Sequence, residues 1–227
     1  MEPLSVRKNT TTRHRIVLEA SVIALLSLLL LVGCYSGMWP ISKAESWGFV
    51  TGACCVWLVV RENIWNWPIG LANNVVFVIL FWQARLFADM GLQFVYIVLG
   101  IWGWWHWLHG GKNKQALHVS RATNKEWYVI ALALTAGTFV LRWLLIQVNG
   151  SAPFLDAFTT MLCLCAQYLL CRKRLENWYL WIIADLIYVP LYASRQLPLT
   201  AVLYGLFIIL CVMGWKHWNH QWKIQQT

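Results

Sequence analysis

Residues 103–109 read Gly-Trp-Trp-His-Trp-Leu-His, and residues 214–220 read Gly-Trp-Lys-His-Trp-Asn-His. Glycine, tryptophan and histidine thus recur at an offset of 111 residues. The same register, without a gap, sets Asn66-Trp67 against Asn177-Trp178, Arg61 against Arg172 and Leu86 against Leu197. Within it Asn74 faces Asp185 and Phe77 faces Tyr188, and sixteen positions of 45–109 are identical to their partners in 156–220. Chance matches of Leu and Val come easily in an apolar chain; shared Trp, Asn, Gly and His at one offset do not. The sequence therefore predicts two copies of one unit.

The chain around the repeat is too apolar for water. Of 227 residues, 59% are hydrophobic, 12% are charged and 17 are tryptophan, and the mean hydropathy is +0.55. Soluble domains carry about 25% charged residues, so a water-soluble enzyme, a disordered chain and a disulfide-rich secreted module are excluded. A polytopic helical membrane protein remains, and open strands cannot stand in lipid. Apolar runs bounded by charges or turn residues predict eight helices, at about 16–38, 44–61, 66–84, 88–108, 126–148, 152–171, 177–194 and 198–218. In domain terms these are a tail (1–15), an additional first transmembrane helix (16–38), repeat A (44–108), a basic loop (109–125), a linker helix (126–148), repeat B (152–218) and a C-terminal tail (219–227). A single linker helix restores the direction of travel, so the two repeats are parallel, a plan used by transporters whose substrate binds near the midplane.

Net charge is +9, and the basic residues fall in short loops between apolar runs. With the N-terminus in the cytoplasm, fourteen of the eighteen Lys and Arg residues fall inside; Lys43, Arg85, Arg142 and Arg195 fall outside. The positive-inside rule then puts both termini, and both tails, in the cytoplasm, and the charge gives no reason to invoke nucleic acid. Leu31-Val32-Gly33-Cys34 looks like a lipoprotein cleavage box. The preceding run is long enough to span roughly 30 Å of hydrocarbon, so a retained first helix is expected. The seven cysteines lie in or at the ends of apolar segments without a CxxC pattern, and read as small packing residues.

The polar residues form stripes. In the seventh helix Trp178, Trp181, Asp185, Tyr188 and Tyr192 share one face. Their partners in the third are Trp67, Gly70, Asn74, Phe77 and Phe81. Gln93, Tyr96, Gly100, Gly103 and Trp107 line the fourth helix, and Tyr204, Phe207, Cys211, Gly214 and Trp218 the eighth. Gln167 and Asp156 share a face of the sixth. Ionisable and amide groups at mid-membrane are costly and tend to line pathways, and Asp185 is the outstanding case. Asn73, Asn74, Gln93 and Gln167 add hydrogen-bonding capacity, and Trp and Tyr offer flat faces with polar tips. Together they suit a flat, heteroaromatic, hydroxylated solute, and the carboxylate also favours a cation. The competing reading is that polar groups glue helices together and that Trp104, Trp107, Trp215 and Trp218 form an interface belt or pack.

Other chemistries find little support. His106 and His109, like His217 and His220, are spaced i, i+3 as metal ligands can be, but no carboxylate or thiolate stands beside them in sequence. No metal site and no cofactor are expected. Walker, GxSxG and HExxH patterns are absent, so nothing supports an enzyme or ATP coupling.

Glu176-Asn177-Trp178-x-x-Trp181, followed by Asp185 and Pro190-Leu191-Tyr192, resembles the PnuC transporters of vitamin precursors, as do Trp67-Pro68-Ile69-Gly70, the run from Leu86 to Tyr96 and Gly103-Trp104. The resemblance covers roughly 45–218; Phe77 and Phe87 stand where members of the family often carry tyrosine. It implies a full-length relative of the SWEET sugar transporters. It further implies a homotrimer of the bacterial inner membrane that takes up nicotinamide riboside by facilitated diffusion, with a cytoplasmic riboside kinase trapping the product. Close relatives carry thiamine or riboflavin instead. On this reading the two triplets rock about a central site, with Asn177, Trp178, Trp181, Asp185, Tyr188, Tyr204 and Gln167 from repeat B and Asn73, Asn74, Gln93 and Tyr96 from repeat A. A membrane scaffold and an intramembrane enzyme are the rival classes.

Overall fold

The computed structural model describes residues 4–39, 43–83, 87–148, 152–194 and 198–226. Side chains of 4–16, 44–45, 80–81, 83, 87–89 and 198–199 lie outside the description, and with them Phe81, Arg85 and Phe87 of the sequence argument. Among the described residues eight α-helices follow one another: α1 (Leu4–Tyr35), α2 (Lys43–Val60), α3 (Asn66–Gln83), α4 (Phe87–His109), α5 (Asn124–Gln147), α6 (Pro153–Cys171), α7 (Asn177–Ser194) and α8 (Pro198–Ile224). This is an all-α polytopic architecture of one N-terminal helix, three helices, a linker and three helices. Among the described residues Val17–Tyr35, Asn124–Gln147, Pro153–Cys171 and Thr200–Ile224 are long and apolar enough to cross a membrane.

Two helix ends lie well beyond expectation. α1 begins at Leu4 rather than near 16, and α8 runs to Ile224 rather than 218. Hydropathy marks where lipid ends; the backbone ladder continues through polar residues of good helix propensity such as Arg, Lys and Gln.

The chain forms two compact units, Met1–Cys54 and Cys55–Thr227. In the first, α1 ends at a turn where Gly37 takes a φ of 72°, a left-handed conformation that glycine adopts at no steric cost. Trp47 Nε1 donates to Tyr35 Oη at 3.2 Å, and Lys43 Nζ lies 5.0 Å from the Tyr35 ring centre.

The second unit carries the repeat in its hydrogen bonds. α2 and α6 end in matching Schellman turns: Asn63 N donates to Leu58 O and Arg174 N to Leu169 O, both at 2.9 Å. Glu62 and Lys173, equivalent in the repeat, both have a φ of 53°. Asn66 Nδ2 donates to Asn63 O at 2.7 Å and Asn177 Nδ2 to Arg174 O at 2.6 Å, so the same side chain ties each following helix back to the turn before it.

The contacts that join the repeats are reciprocal. Trp107 Nε1 donates to Leu170 O at 3.0 Å, and Trp218 Nε1 donates to Val59 O at 3.2 Å. Val59 and Leu170 are themselves repeat partners, so each copy bonds the other through the same pair of residues, as two-fold pseudosymmetry requires. Trp67 and Trp178 stand edge-on to Trp107 and Trp218, at 5.4 and 5.3 Å, and the last two rings lie 5.9 Å apart. Gly103 and Gly214 leave room for this: a Cβ there would strike the indoles of Trp67 and Trp178 respectively. Across the same end Lys173 Nζ reaches Glu62 Oε2 at 2.8 Å.

The 109–125 segment is stitched down. Ser120 forms an isolated parallel bridge with Arg174, with Ser120 N to Lys173 O at 3.1 Å and Leu175 N to Ser120 O at 2.9 Å. Thr123 and Glu126 form a capping box that starts α5. Glu126 also takes Arg172 at 3.0 Å and Arg174 at 2.9 Å, tying linker to repeat B.

Candidate functional site

The α7 stripe divides into a packed end and a polar middle. Asn177 (0% exposed) and Trp178 (1%) lie in the packed end, among Trp67, Trp107 and Trp218. Trp181 packs against both that cluster and the one formed by α5, α6 and α7. Asp185 follows two helical turns, about 10 Å, beyond Trp178.

Asp185 is 3% exposed. Cys211 Sγ of α8 donates to its Oδ2 at 3.8 Å, and among the described residues no cation pairs with it. Taking a charge out of water without a partner costs several kcal/mol, so this carboxylate holds either a proton or a place for a cation. One turn on, Tyr188 Oη lies 3.7 Å from Cys163 Sγ of α6. Tyr188, Tyr192 and Tyr204 form a compact group, with ring centres 4.8 Å apart for Tyr188–Tyr204 and a parallel stack at 5.2 Å for Tyr192–Tyr204. Phe207 closes on Tyr204 edge-on at 5.7 Å. Tyr96 of α4 reaches the same group, within electrostatic range of Cys163, Tyr188 and Tyr204.

The structure therefore brings together Asp185, Tyr188, Tyr204 and Tyr96 among the residues expected from sequence. Gln167 is half-buried on α6 with its amide 4.0 Å from Cys171 Sγ. Asn73, Asn74 and Gln93 are half-buried on α3 and α4; among the described residues no contact ties Asn74 or Gln93 to the tyrosine group. Two thiols, Cys163 and Cys211, touch the polar groups although all cysteines read as packing. Cys211 lies on the α8 stripe, which gave a signal for it. The Glu62–Lys173 and Glu126–Arg172–Arg174 pairs also escaped sequence reasoning, since their partners lie far apart in the chain. Of the four tryptophans read as belt or packing residues, Trp107 and Trp218 are 3% and 0% exposed, and Trp104 and Trp215 are half-buried.

A cavity of about 220 Å³ opens between α5 and α6, lined by Val129, Ile130, Ala133, Met161 and Cys165 among others. It is apolar and holds none of the expected site residues. Among the described residues no cluster of His, Cys, Asp and Glu could hold a metal.

An aromatic-walled, carboxylate-bearing centre inside a repeated helical bundle suits an organic solute, and comparison with known proteins agrees. The family model for nicotinamide mononucleotide transporters matches residues 42–220. The nicotinamide riboside transporter PnuC of Escherichia coli (strain K12) is 26% identical over 211 residues, covering 81% of this chain and 87% of that protein. The riboflavin/roseoflavin transporter RibM of Streptomyces davaonensis is 27% identical over 177 residues, covering 75% of this chain and 82% of its own length. A crystal structure of the vitamin B3 transporter PnuC superposes with a TM-score of 0.67 at 24% identity, over 89% of this chain and 92% of that one, which establishes the shared fold. With the family match spanning residues 42–220, the repeat intact and the polar centre in place, this chain belongs to the nicotinamide mononucleotide transporter family.

Proposed function

We propose that this protein takes up nicotinamide riboside across the bacterial inner membrane by facilitated diffusion. One observation carries the choice of solute: Asp185 is buried, 3% exposed, and its one side-chain partner among the described residues is a thiol. A fixed pyridinium cation supplies the missing charge. The ribose and carboxamide supply donors for Tyr96, Tyr188 and Tyr204, and tyrosine faces stack on a flat ring. Gln93, Asn73, Asn74 and Gln167 complete the polar lining as the repeats move, and Trp181 flanks the ring.

The conformational cycle follows from the reciprocal contacts. The end carrying Glu62, Lys173, Trp107 and Trp218 is closed, and by the positive-inside count it faces the cytoplasm, with both termini on that side. Release to the cytoplasm requires the two indole–carbonyl bonds and the Glu62–Lys173 pair to part. Phosphorylation by a cytoplasmic riboside kinase then keeps the gradient inward, so neither ATP nor ions are needed by the carrier. The protein works as a homotrimer and is not an enzyme.

A neutral flavin is the second reading, supported by the likeness to RibM. Uptake by proteoliposomes separates the two: labelled nicotinamide riboside should enter saturably, without an ion gradient, and stop at equal concentrations. Thiamine and riboflavin serve as competitors. A riboflavin that competes best, or a wild type that takes up none of the three, would refute the assignment.

A further inference from the structure

We propose that Cys163 and Cys211 belong to the solute site as positioning residues, each holding one polar group of repeat B. The proposal rests on the transport reading above. Its basis is a double pairing: Cys211 Sγ to Asp185 Oδ2 at 3.8 Å and Cys163 Sγ to Tyr188 Oη at 3.7 Å. Cys163 is 6% exposed, and Cys211 and Asp185 are each 3% exposed, so water does not compete for the Cys211–Asp185 bond, and Tyr188 is half-buried beside a buried thiol.

The repeat register supplies an independent control. Cys211 stands opposite Gly100, and Cys163 opposite Gly52. Their partners stand opposite residues of a different kind: Asp185 against Asn74, and Tyr188 against Phe77. A thiol thus meets Asp185 and Tyr188, the two stripe residues whose repeat partners are Asn74 and Phe77. In the sequence of repeat A glycine stands at the position matching each of these two cysteines. The remaining cysteines of the repeats lack this pattern. Cys54 stands opposite Cys165, Cys55 opposite Ala166 and Cys171 opposite Val60, which are exchanges among apolar packing residues.

A thiol is a weak donor and carries no charge. Donation to Oδ2 fixes the rotation of the Asp185 carboxylate and leaves Oδ1 for the solute. An arginine or lysine there would neutralise the carboxylate; a thiol orients it and leaves its charge for a cation. Because repeat A has glycine, asparagine and phenylalanine at the matching positions, the two halves are chemically unequal. The solute is therefore held in one orientation, its cationic end towards repeat B.

The test uses the full chain in proteoliposomes with labelled nicotinamide riboside. Cys211→Ala should raise KM about two- to twelvefold, the worth of one modest hydrogen bond, with the maximal rate little changed. Cys211→Ser, which keeps a donor, should restore KM to within about twofold of wild type. Cys211→Ala added to Asp185→Asn should cost nothing further, because the thiol acts through the carboxylate. Cys163→Ala and Cys163→Ala with Tyr188→Phe should behave in parallel. Saturating solute should slow modification of both cysteines by methyl methanethiosulfonate, read by peptide mass spectrometry; this readout stands even where an alanine variant fails to fold. Unchanged KM in both alanine variants, additive losses in the cycles, or labelling indifferent to solute would overturn the inference while leaving wild-type uptake intact. A wild type that transports nothing overturns the functional reading and this inference together.

Discussion

Replacing Trp107 or Trp218 by phenylalanine tests the reciprocal closure. Each substitution keeps a ring in the packed end and removes one indole N–H: the 3.0 Å bond to Leu170 O in one case and the 3.2 Å bond to Val59 O in the other. Neither carbonyl is orphaned by the change, because Lys173 N still donates to Leu170 O and Glu62 N to Val59 O, both at 2.9 Å. The loss is then the net worth of a hydrogen bond, about 0.5–1.5 kcal/mol, without the larger penalty of a stranded acceptor. If both bonds break when this end opens, each variant raises the open population about two- to twelvefold, and the double variant raises it by the product, about five- to 150-fold. Cys171 reports on the opening. It is 0% exposed, sits at the end of α6 and donates to Leu99 O at 3.2 Å. Its labelling by a maleimide should rise in proportion, equally for the two single variants within about twofold and multiplicatively for the pair. Labelling unchanged in the double variant, or raised in only one single variant, would refute the argument from pseudosymmetry.

Further outcomes follow from the same geometry. Gly103→Ala and Gly214→Ala should each lower stability by about 1–3 kcal/mol through overpacking against Trp67 and Trp178, despite the better helix propensity of alanine; thermal unfolding followed by size-exclusion fluorescence reads it. Lys173→Met should lower the unfolding temperature by removing the pair with Glu62, the bond to Leu117 O at 3.0 Å and the cation over the Trp107 ring at 4.7 Å. Exchanging the charges, Glu62→Lys with Lys173→Glu, should recover part of that loss, since both positions take the same turn. Glu126→Gln should loosen the linker by about 1–3 kcal/mol, as Arg172 and Arg174 lose their shared carboxylate, seen as faster hydrogen exchange across 117–126.

The helices were legible because membrane burial writes apolar runs directly into sequence, and the repeat was legible because Trp, Asn, Gly and His are rare enough to mark a register. The stripe on α7 was legible too, by its helical spacing. Periodicity could not show where along that stripe packing ends and the polar centre begins. Trp178 and Asp185 share a face, yet one seals the end of the bundle and the other meets a thiol from α8. Nor could it show what the 109–125 segment touches. That segment read only as a basic loop, whereas Ser120, Glu126 and Glu176 find their partners some fifty residues away, with Ala122 N to Glu176 Oε2 at 2.7 Å. Such long-range pairings leave no local pattern in one sequence. Cysteine misled for another reason: it serves equally as a small apolar filler and as a weak donor, and only its neighbours decide which.

Asp185 is the proposed counter-charge for the solute. Initial uptake of labelled nicotinamide riboside should be compared for wild type, Asp185→Asn and Asp185→Leu in proteoliposomes, with equal folded protein confirmed for each. Uptake lost in Asp185→Leu and cut at least about tenfold in Asp185→Asn is the predicted result, since a charged hydrogen bond is worth about 1.5–3 kcal/mol. Wild-type uptake by Asp185→Leu would contradict it and return Asp185 to a role in holding helices together.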